Sequence, residues 1–181
     1  MTGAKPGRRG GAGLPEVVWQ DWPMVRFSHV GQCVRDLERT RTFYVEVLGF
    51  EEVADLDVSG SSSATLLRLP DPVGLRAVYL KRDGLVLELL GFSEPEPTEP
   101  RERPMIEPGL THISVGVDDL DETCAAVVAH GGQVFTESRL PTAVFVADPE
   151  GQVVELLAGD RFAQMLHGPS PERDADEVPD P

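Results

Sequence analysis

The sequence predicts an α+β domain made of two βαβββ modules, and three observations support that prediction. The segment RFSHVGQCVRDL recurs as GLTHISVGVDDL, which places His29 and His112 in equivalent positions 83 residues apart. Each copy is followed by a helical pattern and then by strand-like segments. The segments VLELL and VVELL close the modules, with Glu88 and Glu155 only 67 residues apart. The first module therefore holds 16 extra residues, and residues 59–74 have that length and the composition of a loop.

The first module, at about residues 25–92, starts with the strand VRFSHVGQCV. The next segment, RDLERTRTFYVEVLGF, has the apolar spacing of a helix, with Asp36 as its N-cap and Gly49 at its end. A second strand, EEVADLDVS, precedes the insertion GSSSATLLRLPDPVG, which we expect to be a loop with a short helix. The strands LRAVYLKR and LVLELLGF complete the module, and the pair Asp83 and Gly84 predicts a tight turn between them.

The second module, at about residues 109–160, repeats this order after a Pro- and Glu-rich linker at residues 93–108. LTHISVGV is predicted to be a strand, and DDLDETCAAVVAHGG a helix with Asp118 or Asp119 at its cap. The segments QVFTESRL, TAVFVADPE and QVVELLAG are predicted to be strands, with Asp148 in a tight turn before the last one.

Composition limits the classes of partner. The chain has 181 residues and a formal net charge of −15, so nucleic acids and anionic membrane surfaces would repel it. Its apolar runs are too short to span a membrane, and no secretory signal pattern follows the first residues. The sequence therefore predicts a cytoplasmic protein that acts on a small molecule.

The limits of the folded part follow from local composition. We expect one domain at residues 24–167, with a flexible tail at 1–23 and a disordered acidic tail at 168–181, because these tails could bury little apolar surface. Cys33 and Cys124 lie in periodic apolar segments and are predicted to be small, buried, unpaired thiols.

Each module contributes one histidine and one glutamate at equivalent positions. A carboxylate in so apolar a strand needs a cation, hydrogen bonds or a raised pKa. Taken singly, each histidine is more often a hydrogen-bonded core residue than a ligand, and each glutamate could face water from an edge strand. Imidazoles and carboxylates together suit a divalent metal ion, so the recurrence of both pairs favours a metal site formed by His29, Glu88, His112 and Glu155.

Four segments resemble signature segments of the vicinal oxygen chelate superfamily. They are FSHVGQCVRDLERTRTFYVEVLGF, LVLELLGF, LTHISVGVDDLDE and AVFVADPEGQVVELL, which together cover about residues 25–157. This superfamily includes glyoxalase I, methylmalonyl-CoA epimerase, extradiol dioxygenases, and the bleomycin- and fosfomycin-resistance proteins. The resemblance implies curved mixed sheets around a central metal site, with the helices outside. It also implies that the site binds one divalent ion, Ni, Co, Zn, Mn or Fe(II), through His29, Glu88, His112 and Glu155.

All four positions match the ligand pattern of glyoxalase I, so the resemblance implies removal of a proton alpha to a carbonyl of a small, oxygen-chelating substrate. Glu155 and Glu88 are the candidate catalytic bases of this isomerase, epimerase or lyase. Two alternatives remain: a ferrous extradiol-type dioxygenase and a metal-free drug-binding module of the resistance type. Members of the superfamily are often homodimers, and the sequence leaves open whether the site lies within one chain or across a dimer.

Three features bear on the substrate. The resemblance to methylmalonyl-CoA epimerase implies a separate glutamate after the second strand. The corresponding stretch here contains only Asp57 and Asp71, which argues against a strict epimerase of that kind. The insertion at 59–74 is expected to shape specificity, since loops on a rigid scaffold often do. The arginines that could contact an anionic substrate, or equally lie in solvent, are Arg26, Arg35, Arg68 and Arg76.

Overall fold

The computed structural model describes residues 26–159, so the predicted tails at 1–23 and 168–181 and the ends of the predicted domain lie outside the described residues. Two copies of a unit made of one strand, one helix and three strands follow one another, which confirms the predicted α+β fold. The strands are β1 (Val30–Val34), β2 (Glu51–Asp57), β3 (Gly74–Arg82), β4 (Leu85–Glu94), β5 (Ile113–Val117), β6 (Gln133–Val134), β7 (Ala143–Ala147) and β8 (Val153–Ala158). The α-helices are α1 (Leu37–Glu46), α2 (Ser61–Leu67) and α3 (Leu120–Ala129).

Each module forms its own four-stranded mixed sheet, in the order β1-β4-β3-β2 and β5-β8-β7-β6. In both sheets the first strand runs parallel to the last strand of its module, and the other pairs are antiparallel. The register places Gly31 opposite Glu88 and Ser114 opposite Glu155. The duplication seen in the sequence is therefore preserved at the centre of both sheets.

The long helices begin where the sequence places their caps. The carboxylate of Asp36 accepts a hydrogen bond from the backbone N–H of Arg39, and Asp119 rather than Asp118 caps α3 in the same way. Within residues 26–159, none of the helices is long and apolar enough to cross a membrane. The buried residues of α1 and α3 are Thr40, Phe43, Tyr44, Leu120 and Val127.

One hydrophobic core joins the two modules. Phe43 of α1 and Leu89 of β4 belong to the same buried cluster as Val127 of α3 and Leu156 of β8. The helix-bearing sides of the two sheets are therefore packed into a common interior. The opposite faces of β1 and β5 expose alternate residues along each strand, and these are the faces that carry the predicted ligands.

A buried polar cluster also connects the modules. One carboxylate oxygen of Asp148, a residue only 3% exposed, accepts hydrogen bonds from Gln32 at 2.7 Å and from the phenol of Tyr44 at 3.2 Å. Its other oxygen accepts from the backbone N–H groups of Glu150 and Gln152, which forms the predicted turn between β7 and β8. Burial raises the pKa of Asp148, and these hydrogen bonds oppose that rise.

The insertion folds as the expected short helix, α2, and covers part of the first sheet. Ala64 of α2 is buried in a cluster with Leu75, and Leu90 and Phe92 of β4 pack against that cluster. Because side chains alternate along a strand, Leu90 and Phe92 lie on the same face of β4 as Glu88. The insertion is therefore a wall beside the face that carries one of the predicted ligands.

The prediction of a strand over the segment QVFTESRL is wrong for most of that segment. β6 spans only Gln133–Val134, and Thr136–Ser138 forms a 3-10 turn. The hydroxyl of Ser138 donates to the carbonyl of Phe135 and accepts from the N–H of Phe145, so a side chain takes over bonds that a strand partner would make.

The prediction of two buried thiols is also wrong in part. Within the described residues Cys33 and Cys124 are both free, as expected, but Cys33 is exposed. Cys33 shares the open face of β1 with Gly31, which explains its exposure.

Candidate metal centre

The first half of the predicted site joins His29 and Glu88. His29 lies immediately before β1, and the parallel pairing of β1 with β4 brings Glu88 beside it. The Nε2 atom of His29 is 3.1 Å from Oε2 of Glu88. The glutamate side chain is only 14% exposed, between the fully buried Leu87 and Leu89. A largely enclosed carboxylate thus faces an imidazole nitrogen.

The second half repeats this arrangement with His112 and Glu155. His112 immediately precedes β5, and its Nε2 atom is 3.6 Å from Oε2 of Glu155 on β8. The hydroxyl of Ser114 donates to the same oxygen at 2.8 Å. The side chain of Glu155 is 26% exposed, so this glutamate is more open to solvent than its counterpart.

A neighbouring hydroxyl orients each histidine. Nδ1 of His29 lies 2.9 Å from the hydroxyl of Ser28, and Nδ1 of His112 lies 2.9 Å from the hydroxyl of Thr111. A histidine that donates its Nδ1 proton to such a partner keeps the Nε2 lone pair for a metal ion. In both modules this lone pair would point to the side where the glutamate lies.

An aromatic residue packs against each histidine, and neither was predicted from the sequence as part of the site. The ring of Tyr79 meets His29 edge-on at 5.7 Å, and Phe145 meets His112 at 5.3 Å. Tyr79 lies directly opposite Glu88 and donates its phenol proton to Oε1, and this contact raises the pKa of Tyr79 to about 12. The signal was present as the matching triplets AVY and AVF in the third strand of each module.

The structure brings the four predicted ligands together as two pairs and not as one cluster. Within residues 26–159, no group of three or more histidine, cysteine, aspartate or glutamate side chains is arranged to hold a metal ion. The two pairs lie on different sheets, each on an exposed strand face. A single chain therefore presents two separate half-sites.

The first half-site has the spacing of two neighbouring ligands on a divalent ion, and the second is somewhat wider. Two ligand atoms that are each about 2.1 Å from an ion and at right angles are about 3.0 Å apart. The observed nitrogen-to-oxygen separations are 3.1 Å and 3.6 Å. Because protein-bound divalent ions take about four to six ligands, one pair is too few and two pairs form a suitable set.

Two of the candidate arginines are already paired with carboxylates. Arg35 forms ion pairs with Glu99 and Glu150, and Arg76 is held by two carboxylates of its own module. Arg68 lies exposed at the end of α2. An anionic substrate would have to displace existing ion pairs at Arg35 or Arg76.

A cavity of about 700 Å³ adjoins the second half-site. Its lining includes Met105 of the linker and Phe135, Phe145 and Val153 of the second module. Because Phe145 also contacts His112, the cavity lies beside that histidine. A concave site of this size with apolar and polar walls suits a small organic molecule.

Comparison with known families places the chain in a superfamily. Residues 26–156 match the family described as the Glyoxalase/Bleomycin resistance protein/Dioxygenase superfamily. The chain belongs to this superfamily. The resemblance inferred from the four sequence segments is thus confirmed, and the glyoxalase superfamily contains enzymes as well as resistance proteins.

Two curated relatives of this chain carry the name of one activity. A lactoylglutathione lyase from Pseudomonas putida is 29% identical over 80% of this chain and 92% of that protein. A probable lactoylglutathione lyase from Vibrio parahaemolyticus is 37% identical over 62 residues, which are 32% of this chain and 45% of that protein. The matched segment thus spans less than half of the Vibrio relative.

Several solved structures share the fold of this chain. A glyoxalase family protein from Bacillus cereus has a TM-score of 0.66 at 18% identity, over 77% of this chain and 97% of that one. The trypanothione-dependent glyoxalase I of Leishmania major has a TM-score of 0.59 at 25% identity, over 78% and 92%. The fosfomycin resistance protein FosX of Listeria monocytogenes, solved with Mn(II) and sulfate, has a TM-score of 0.53 at 19% identity, over 79% and 99%.

Proposed function

We propose that the protein is a divalent-metal-dependent lyase, isomerase or epimerase of the glyoxalase type. It would remove a proton from the carbon next to a carbonyl of a small substrate that carries neighbouring oxygens. The observation that carries this proposal is the pair of matched histidine–glutamate contacts, at 3.1 Å and 3.6 Å, at equivalent positions of the two modules. The lactoylglutathione lyase from Pseudomonas putida, similar over most of its length, supports the class of reaction.

The metal site would be completed between two copies of the chain. His29 and Glu88 of one copy would face His112 and Glu155 of the other, and a symmetric homodimer would then hold two identical sites. The exposed faces that carry the pairs, and the separation of the pairs within residues 26–159, support this arrangement. The ion could be Ni, Co, Zn, Mn or Fe(II), since imidazole and carboxylate ligands suit all of them.

The ion, when bound, would polarise the substrate carbonyl and stabilise the negative charge that develops beside it. The chain supplies the other functions. The hydroxyl groups of Ser28 and Thr111 hold the two imidazole rings in place through hydrogen bonds to the Nδ1 atoms of the histidines. One carboxylate, Glu155 or Glu88, accepts the proton from the substrate carbon and, in an isomerase, returns it to the adjacent carbon. In an epimerase the other carboxyl group, in its protonated form, would deliver a proton to the opposite face of the same carbon.

The first experiment measures metal and mass together on the full-length protein. After reloading with each candidate ion, we expect about one ion per chain by mass spectrometry and a dimer by sedimentation. A His112→Ala variant is expected to lose the ion. Exchange of the substrate's alpha proton with D₂O, followed by NMR across a panel of hydroxy- and oxo-carbonyl compounds, then tests turnover.

The other classes give different results in the same assays. A dioxygenase would consume oxygen when the Fe(II) form, loaded anaerobically, meets its substrate. A drug-binding module would bind a ligand without metal and without proton exchange. Failure to bind any of the ions would overturn the proposed enzyme.

A further inference from the structure

The two half-sites share one plan but differ in how each glutamate is held. Tyr79 on β3 lies opposite Glu88, and Phe145 on β7 lies opposite Glu155. The two aromatic residues occupy equivalent positions and both pack on a histidine. Only the first carries a hydroxyl group, so the duplicated site is asymmetric at this position.

The contacts of Glu88 engage both of its oxygens. Oε1 accepts the hydrogen bond from the phenol of Tyr79 at 2.5 Å, and Oε2 faces Nε2 of His29 at 3.1 Å. Because each oxygen of Glu88 has a partner and its side chain is only 14% exposed, the carboxylate has little freedom to turn.

The contacts of Glu155 engage only one oxygen. The hydroxyl of Ser114 and Nε2 of His112 both lie on the Oε2 side, at 2.8 Å and 3.6 Å. Within residues 26–159, the hydrogen bond from Ser114 and the closest approach of His112 both involve Oε2 of Glu155. The aromatic neighbour, Phe145, offers no proton to hold it. Glu155 is therefore free to turn about its last bond in a way that Glu88 is not.

We infer that Tyr79 is a positioning residue that fixes the orientation of Glu88 as a metal ligand, which leaves Glu155 as the more mobile carboxylate of the site. This inference rests on the proposed function. Tyr79 acts through Glu88 and does not need to touch the substrate. Glu88 and Glu155 occupy equivalent positions in the two modules, but they would have different roles because only Glu88 is held by a phenol.

The test replaces the phenol with a ring of the same shape. Full-length Tyr79→Phe is expected to bind Co(II) and Zn(II) roughly 10- to 100-fold more weakly than the wild type, because outer hydrogen bonds to ligands contribute that much to metal affinity. Competition with a coloured chelator measures the dissociation constants. The visible spectrum of the Co(II) form reports a change in ligand geometry that a packing role would not produce.

Two further variants make the test specific. Ser114→Ala removes the hydroxyl beside Glu155 and is expected to lower metal affinity less than Tyr79→Phe does. The double variant Tyr79→Phe/Phe145→Tyr moves the phenol to the other half-site. We expect it to bind metal more tightly than Tyr79→Phe does. Because the new phenol would hold Glu155 in place, we expect kcat to fall below the wild-type value while KM changes little.

The outcomes separate this inference from the proposed function. If the wild type binds metal and Tyr79→Phe binds it equally well with an unchanged Co(II) spectrum, Tyr79 is a packing residue and the inference is wrong. If the wild type itself binds no metal, the proposed function fails and the inference fails with it. An unchanged unfolding midpoint of metal-free Tyr79→Phe would show that any loss of affinity is not a loss of fold.

Discussion

The phenol of Tyr44 in the first module donates a hydrogen bond to Asp148 in the second module, 104 positions away in the chain. The same carboxylate oxygen accepts from the amide of Gln32 at 2.7 Å. Asp148 also organises the turn between β7 and β8 through two backbone N–H groups. One buried carboxylate thus shapes a turn and joins the two modules, although a turn needs only the first of these roles.

Replacement of Asp148 should therefore cost more than the loss of a turn residue. In Asp148→Ala the donors from Tyr44, Gln32 and the turn backbone lose their acceptor, and we expect the free energy of unfolding to fall by about 3 kcal/mol. Asp148→Asn keeps one acceptor oxygen for the turn backbone but turns an NH2 donor towards Gln32 and Tyr44, so we expect it to lose the contact between the modules and to cost about 2 kcal/mol. Urea unfolding curves of the three proteins measure the difference. A stability of Asp148→Asn equal to that of the wild type would show that the contact between modules adds nothing to the turn.

A second contact between the modules should depend on pH. His130, at the end of α3, lies 2.9 Å from the carbonyl of Ala126 and 3.0 Å from the carboxylate of Glu46 on α1. The Ala126 carbonyl, and then Glu46, raise the pKa of His130 above its ordinary value of 6.5. The folded state therefore favours the protonated ring, and this stabilisation is present below the ordinary pKa and lost as the pH rises through the raised one.

The corresponding measurement compares melting temperatures at several pH values. At about pH 6, where the ring is protonated, His130→Gln should melt below the wild type, and the difference should shrink towards about pH 9. Glu46→Gln should show a smaller effect with the same pH dependence, because the contact with the Ala126 carbonyl remains. A difference that is constant over this range would mean that the ring acts through packing alone.

The repeat made most of the fold predictable from the sequence. An 83-residue offset between His29 and His112 fixed the order of elements in both modules, and the caps Asp36 and Asp119 fixed where the long helices begin. The strand after α3 was not predictable in this way. Its segment has the composition of a strand, but the backbone N–H of Phe145 donates to the hydroxyl of Ser138 and not to a strand partner. The strand β6 therefore ends after Gln133–Val134.

The two histidine–glutamate pairs were predictable from the sequence, but their arrangement relative to each other was not. Equivalent positions in a repeat show that two pairs share a geometry, and they do not show whether the pairs face each other. That depends on which side of each sheet the common core occupies, and the shared cluster of Phe43 and Val127 lies on the helix side. The role of Tyr79 also required the register of β3 and β4, because it lies opposite Glu88 only in that pairing. The cytoplasmic location stays a prediction.

The insertion should affect substrate preference more than metal binding. Leu67 of α2 packs on the buried cluster that includes Leu75. Leu90 and Phe92, on the same face of β4 as Glu88, pack against the same cluster. Leu67→Ala would loosen this wall, so we expect KM for a substrate of the wild type to rise several-fold while the metal dissociation constant stays the same. Leu66→Ala is the matched control, since Leu66 is 81% exposed. If both variants leave KM unchanged, the insertion does not contact the substrate.

A site shared between two chains should recover when two damaged chains are combined. His29→Ala removes a ligand from one half-site, and His112→Ala removes a ligand from the other. In a heterodimer of these variants, one composite site would carry both losses and the other would carry none. We therefore expect the heterodimer, purified through two different affinity tags, to hold about one ion, against about two in the wild-type dimer.

The matched controls are the two homodimers, which should bind no ion because every composite site in them lacks a histidine. Proton exchange on the substrate should follow the metal content and return in the heterodimer to about half of the wild-type rate. If His29 and His112 of the same chain formed the site, each chain of the heterodimer would carry a damaged site, and neither metal nor activity would return.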